Sequence, residues 1–102
     1  MQLITQTFDT KNGKVEGICV KWPGFSILTV TGTKGFLACP AIDVDACENY
    51  SAAAAIIESG PDNPIGTLDN FCTRKVTKAN KKANQLGIIE GMVAQDAFEL
   101  IA

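Results

Sequence analysis

Gly35-Phe36-Leu37-Ala38-Cys39-Pro40-Ala41-Ile42-Asp43-Val44 is the stretch on which the fold turns. Phe36 to Cys39 are apolar, as a buried strand requires, and Pro40 then removes a ladder donor and ends the strand. Asp43 follows at the place of a helix N-cap, where its carboxylate can accept from the free N–H groups of a first turn. Strand, stop, cap and helix in immediate succession mark a chain that mixes strands with helices. They also set Cys39 at the carboxyl end of a strand, where such domains tend to carry ligand contacts.

Upstream, Leu3, Thr5 and Thr7 alternate with Ile4, Gln6 and Phe8, which predicts a strand over 2–8. Asn12-Gly13 joins it to a second strand over 14–22, because both residues tolerate the positive φ of a type I′ hairpin turn. Trp22-Pro23-Gly24 breaks that strand, and a third runs from Phe25 to Thr31. Gly32-Thr33-Lys34-Gly35 is then a tight turn into the strand that ends at Cys39. The expectation is four consecutive antiparallel strands, a hairpin extended into a meander.

Downstream, Val44, Cys47 and Tyr50 are spaced to face a core from one side of a helix. The next residues read two ways. Ala52-Ala53-Ala54-Ala55 would prolong the helix, whereas Ala55-Ile56-Ile57 suits a buried strand equally well. Gly60-Pro61-Asp62-Asn63-Pro64 is loop chemistry, and Thr67 can cap a short turn over Leu68 to Phe71. Cys72 to Val76 is expected as a brief strand and Lys78 to Leu86 as a helix, with Ala79, Ala83 and Leu86 on its apolar face. Gly87 suits a left-handed stop with Ile88 packing back. Ala94, Ala97, Phe98 and Ile101 recur as the stripe of a terminal helix. The predicted class is α+β in a single domain over 1–102: an N-terminal antiparallel β-region, a mixed α/β half, and a C-terminal helix.

Composition restricts the chemistry. There is no histidine, so Cys-His and Ser-His-Asp nucleophile activation are excluded, and any general acid or base must be Asp, Glu, Lys, Tyr or Cys. The four cysteines, Cys19, Cys39, Cys47 and Cys72, form no Cys-x-x-Cys pair, so no metal, cofactor or disulfide framework is expected. The formal net charge is -2. Arg74, Lys75, Lys78, Lys81 and Lys82 cluster, yet without interleaved aromatics they read as a solvated face, and no nucleic-acid partner is expected. No apolar run approaches the ~20 residues of a membrane span, and Met1 to Gln6 does not read as a secretion signal. A cytoplasmic protein with reduced thiols is the expectation.

Cys39 is the sharpest candidate for catalysis, through a thiolate near the amino end of the following helix. Pro40 weakens that reading, having no N–H to offer the sulfur, and Asp43 nearby would disfavour a thiolate. Packing between sheet and helix is the favoured account of Cys39. Asp43 is the second catalytic candidate and Asp69 a candidate for ligand binding, each also explained by capping or turn chemistry.

Three stretches together resemble the YunC-like family, a bacterial and archaeal domain of unknown function. They are Lys34 to Val44, Gly66-Thr67-Leu68-Asp69-Asn70-Phe71, and Ala83-Asn84-Gln85-Leu86-Gly87-Ile88-Ile89-Glu90-Gly91-Met92. The resemblance covers roughly residues 25–102, with departures at Pro40 and in the proline-rich loop 59–65. It implies an α+β core over 25–102, a helix over 44–50 followed by a strand over 52–58, and a β-region over 1–24 that joins copies into a homo-oligomer, a dimer or tetramer. It implies no activity. The leading expectation is a non-catalytic homo-oligomer that scaffolds or binds a small partner. The alternatives are a histidine-independent enzyme or redox sensor using Cys39, and a weak carboxylate–thiolate metal binder.

Overall fold

A computed structural model describes all of residues 1–102. Its centre is a six-stranded sheet whose strand order is the chain order. The strands are β1 (Gln2–Thr10), β2 (Gly13–Trp22), β3 (Phe25–Thr31), β4 (Phe36–Ala38), β5 (Ala54–Ile57) and β6 (Val76–Ala79). Neighbours are antiparallel except β4 and β5, which are parallel and linked through helix α1 (Val44–Glu48). Helices α2 (Leu68–Thr73), α3 (Lys81–Gln85) and α4 (Ala94–Ile101) complete the α+β fold.

Register explains the core. One cross-strand row runs Gln6, Gly17, Val30, Leu37, Ala55, Ala79, and the row beside it joins Ile4, Cys19 and Leu28. Side chains alternate across a strand, so these rows share one face, and most of their members are buried. That face carries α2 and α4. The stripe Ala94, Ala97, Phe98, Ile101 is wholly buried, and Phe98 meets Phe8 at 5.2 Å and Phe71 at 6.4 Å between ring centroids. Burying a phenylalanine contributes about 2–3 kcal/mol, so this aromatic trio anchors the helical layer. At the end of α4, Lys34 N–H donates to the Ile101 carbonyl at 2.8 Å. A Cβ on Gly32 would stand 2.1 Å from the same oxygen, so only glycine lets the turn approach so closely.

The opposite face is covered over only part of its width. Val44 of α1 packs with Ala54, Ile56, Phe36 and Cys47 in a second, smaller cluster. Strand β5 therefore has apolar layers on both sides, which is why Ala54 to Ile57 read as an unbroken apolar run. On the row Leu3, Val20, Ile27 of β1–β3 burial falls toward the edge: Ile27 packs against the main core, Val20 is half-buried, and Leu3 is 63% exposed.

Several local expectations change. The first turn closes between Thr10 and Gly13, with Lys11 and Asn12 at its centre and only Gly13 at positive φ (133°), so it is not a type I′ turn on Asn12-Gly13. Asn12 instead donates through Nδ2 to the Glu99 carbonyl at 2.8 Å, tying the hairpin tip to α4. Tyr50 is 85% exposed rather than in the core, because the chain leaves the helix at Ser51 in the left-handed region (φ 57°). Residues 72–73 close α2, and the strand lies at Val76–Ala79; the helix expected from Lys78 starts only at Lys81, after an Asn80 cap.

Candidate functional site

The largest concavity is an open cleft of about 880 Å³ at the end of the sheet where parallel strands β4 and β5 finish. Three segments wall it: the β2–β3 turn, residues 39–41 after β4, and the loop 59–66 after β5. The crevice beyond the carboxyl ends of parallel strands is where connecting loops diverge, so it is a natural ligand position.

Each wall is built by local chemistry. At the first, Trp22 and Phe25 pair across the Pro23-Gly24 turn and stack with centroids 5.9 Å apart. They are 41% and 55% exposed, so they present aromatic surface at the rim. At the second, Cys39 N–H donates to the Leu28 carbonyl at 3.0 Å, continuing the sheet by one bond, and Pro40 then turns the chain outward. Cys39 borders the cleft but is only 6% exposed. The third wall is held by Arg74. Its Nη1 donates to the Asn63 carbonyl at 2.8 Å, and Nη2 to Asn63 Oδ1 and the Pro64 carbonyl, each at 3.0 Å. A planar guanidinium with several fixed donors can hold such a loop where lysine could not. Within the loop Ile65 N–H donates to Ser59 Oγ at 3.2 Å.

The three sequence candidates do not converge. Asp43 caps α1, its Oδ1 accepting from Asp45 N–H at 3.0 Å and Ala46 N–H at 3.2 Å, and it does not line the cleft. Asp69 lies in the first turn of α2 and accepts from Gln6 Nε2 at 3.3 Å, beside a smaller depression that shares Lys21 and Gly66 with the cleft. Only Cys39 borders the main cleft, with Lys21 as the one charged residue in its lining. No three Cys, Asp or Glu side chains come together in a metal-binding group, and all four cysteines are free thiols. Of these, Cys72 has its thiol pKa raised, first by burial and then by the nearby Asp69 carboxylate, against a smaller opposing effect of a backbone hydrogen bond.

Two residues that shape this region escaped the sequence reading. Arg74 was grouped with a solvated basic face. Asn80, 3% exposed, is a buried junction: Oδ1 accepts from Ala54 and Ala83 N–H, and Nδ2 donates to the Val44 and Ala52 carbonyls at 3.1 and 2.8 Å. The available signal was an asparagine directly before a Lys-Lys-Ala helix start, which is N-cap chemistry. Glu48 of α1 also accepts from Lys81 N–H, so two elements cap α3 together.

The profile of a domain of unknown function, DUF1805, matches residues 38–101, more than half of the chain and two of the three cleft walls. The chain belongs to this family. It is also similar in structure to a protein of unknown function, TA1206, from Thermoplasma acidophilum. The TM-score is 0.85 at 17% identity, over 99% of this chain and 94% of that one, a likeness that shows the fold alone. No curated protein matches the chain. No helix is long and apolar enough to cross a membrane.

Proposed function

We propose that the protein is a non-catalytic, homo-oligomeric cytoplasmic protein that holds a small partner in the cleft between the β2–β3 turn and the loop 59–66. The carrying observation is a cleft of ligand size that contains no carboxylate: its only titratable lining residues are Lys21 and Cys39. General acid–base work here would fall to Lys21 or to Cys39, which is only 6% exposed, with no carboxylate or histidine to pair with either. Self-association is supported by β1, an edge strand exposed along almost its whole length, and by the exposed Leu3 on it. The motif stretches quoted above support placing the chain with the YunC-like proteins. Asp69 would touch a ligand only through the adjoining depression.

The chain's single tryptophan, Trp22, stands at the rim, so its fluorescence reports occupancy directly. Anilinonaphthalenesulfonate should quench it saturably, and light scattering at micromolar concentration should give a mass above one chain. Absence of quenching overturns the cleft, and a monomer mass overturns the assembly. A second reading, a redox or catalytic thiol, is favoured by one observation, that Cys39 borders the cleft.

A further inference from the structure

Resting on the cleft as the binding site, we infer the class of its ligand: a small organic anion with a flat apolar body. The charge argument is one of elimination among groups that could face a ligand. Arg74 is spent on its own wall, with both terminal nitrogens donating to residues 63 and 64. Lys21 is half-buried, lines the cleft, and makes neither an ion pair nor a side-chain hydrogen bond. No Asp or Glu lines the cleft to neutralise it: Asp62 of the same loop is exposed and outside the lining, Glu58 accepts from Lys75 N–H, and Asp69, in the neighbouring depression, accepts from Gln6 and forms no ion pair with Lys21. A partly desolvated ammonium without a counter-charge favours an anion, and more strongly than an exposed one does.

The hydroxyls point the same way. Ser26 pairs with Lys21 in the β2–β3 register and lines the cleft on the same row. Ser59 Oγ accepts from Ile65 N–H, which leaves its own proton to donate. Lys21, Ser26 and Ser59 thus give the cleft its side-chain donors. The next pair along the hairpin, Trp22 and Phe25, adds stacked aromatic surface at its edge, and Pro40, Pro61 and Pro64 add rigid C–H surface. Aromatic rim and proline wall suit a planar apolar body. Both rims are preformed, one by a two-residue hairpin turn and the other by Arg74, so little ordering is needed on binding.

A matched pair of probes tests the class separately from the site. Anilinonaphthalenesulfonate and N-phenylnaphthylamine share an aromatic skeleton and differ by the sulfonate. Titrated against Trp22 fluorescence at low salt, the sulfonate should bind about 5-fold more tightly. Lys21→Met should erase that preference while leaving the neutral probe's affinity unchanged, Lys21→Arg should keep it, and Lys82→Met, remote on α3, should have no effect. Phe25→Ala should weaken both probes. Thermal melts of each variant establish that it folds. Equal affinities in the unmodified protein, or a preference that survives Lys21→Met, overturn the anion inference with the cleft intact. If neither probe quenches Trp22, the cleft assignment falls and the ligand class with it.

Discussion

Cys39 meets the cleft through 6% of its surface, whereas Cys47 and Cys72 are half-buried. Iodoacetamide should therefore label Cys39 more slowly than those two in the native state, read by mass spectrometry of timed digests. Cys39→Ala should cost about 1–2 kcal/mol in urea unfolding and leave probe binding in place. Fast, selective labelling at Cys39 would move the protein to thiol chemistry. Cys72 sets a pH dependence whose sign follows from its raised pKa. The unfolded thiol ionises first, so the folded state holds more protons above that point. Its stabilising share is complete below pH 9.0 and falls as pH rises through the folded pKa. Melting temperature should decline above pH 9.0, and Cys72→Ala should flatten that decline. At this scale the sequence was legible wherever a residue acts on its own neighbours, as Asp43 and Thr67 do in capping. It was opaque for Asn80, whose partners at 44, 52 and 54 lie far away along the chain.

Among elements, α1 ends in a Schellman motif. Ala52 N–H donates to the Cys47 carbonyl and Ser51 N–H to that of Glu48, with Ser51 left-handed at φ 57°. A serine there is strained, and Ser51→Gly should stabilise the protein by about 1 kcal/mol in chemical denaturation. Asn80→Ala acts in the opposite direction. It removes the α3 cap and strands buried groups of α1 and β5, which should cost about 3–5 kcal/mol by the same measurement. The turn from α1 into β5 was undecided by periodicity because alanine serves helix and buried strand alike; only the family resemblance chose the strand, now found at Ala54–Ile57. The strand expected over Cys72 to Val76 lies instead at Val76–Ala79, and the helix expected from Lys78 took in its last two residues for a related reason. Ala79, Ala83 and Leu86 keep helical spacing by coincidence, while β-branched Val76 and Thr77 carried the weaker, correct signal.

For the molecule as a whole, no covalent or metal cross-link is needed to account for the fold, since both faces of β5 are packed and the aromatic trio fixes α4. Melting should be the same with and without a thiol reductant and a chelator, and a shift of several degrees would contradict this. The cleft was half legible from the sequence. Cys39 at a strand end marked it, whereas the proline-rich loop is legible only as a loop, and the union of segments 21–26, 39–41 and 59–66 depends on a topology that no local pattern states. That topology has a kinetic side. Because strand order follows chain order, three of the five closures that build the sheet span only tight turns: Lys11-Asn12, Pro23-Gly24 and 32–35. The loop-closure entropy of assembly is concentrated in the other two, 39–53 and 58–75. Both of these long links begin in a cleft wall. A molecule bound there would touch the start of both long links, so occupancy would act on the protein as a clasp, favouring the folded chain as ligand concentration rises above Kd.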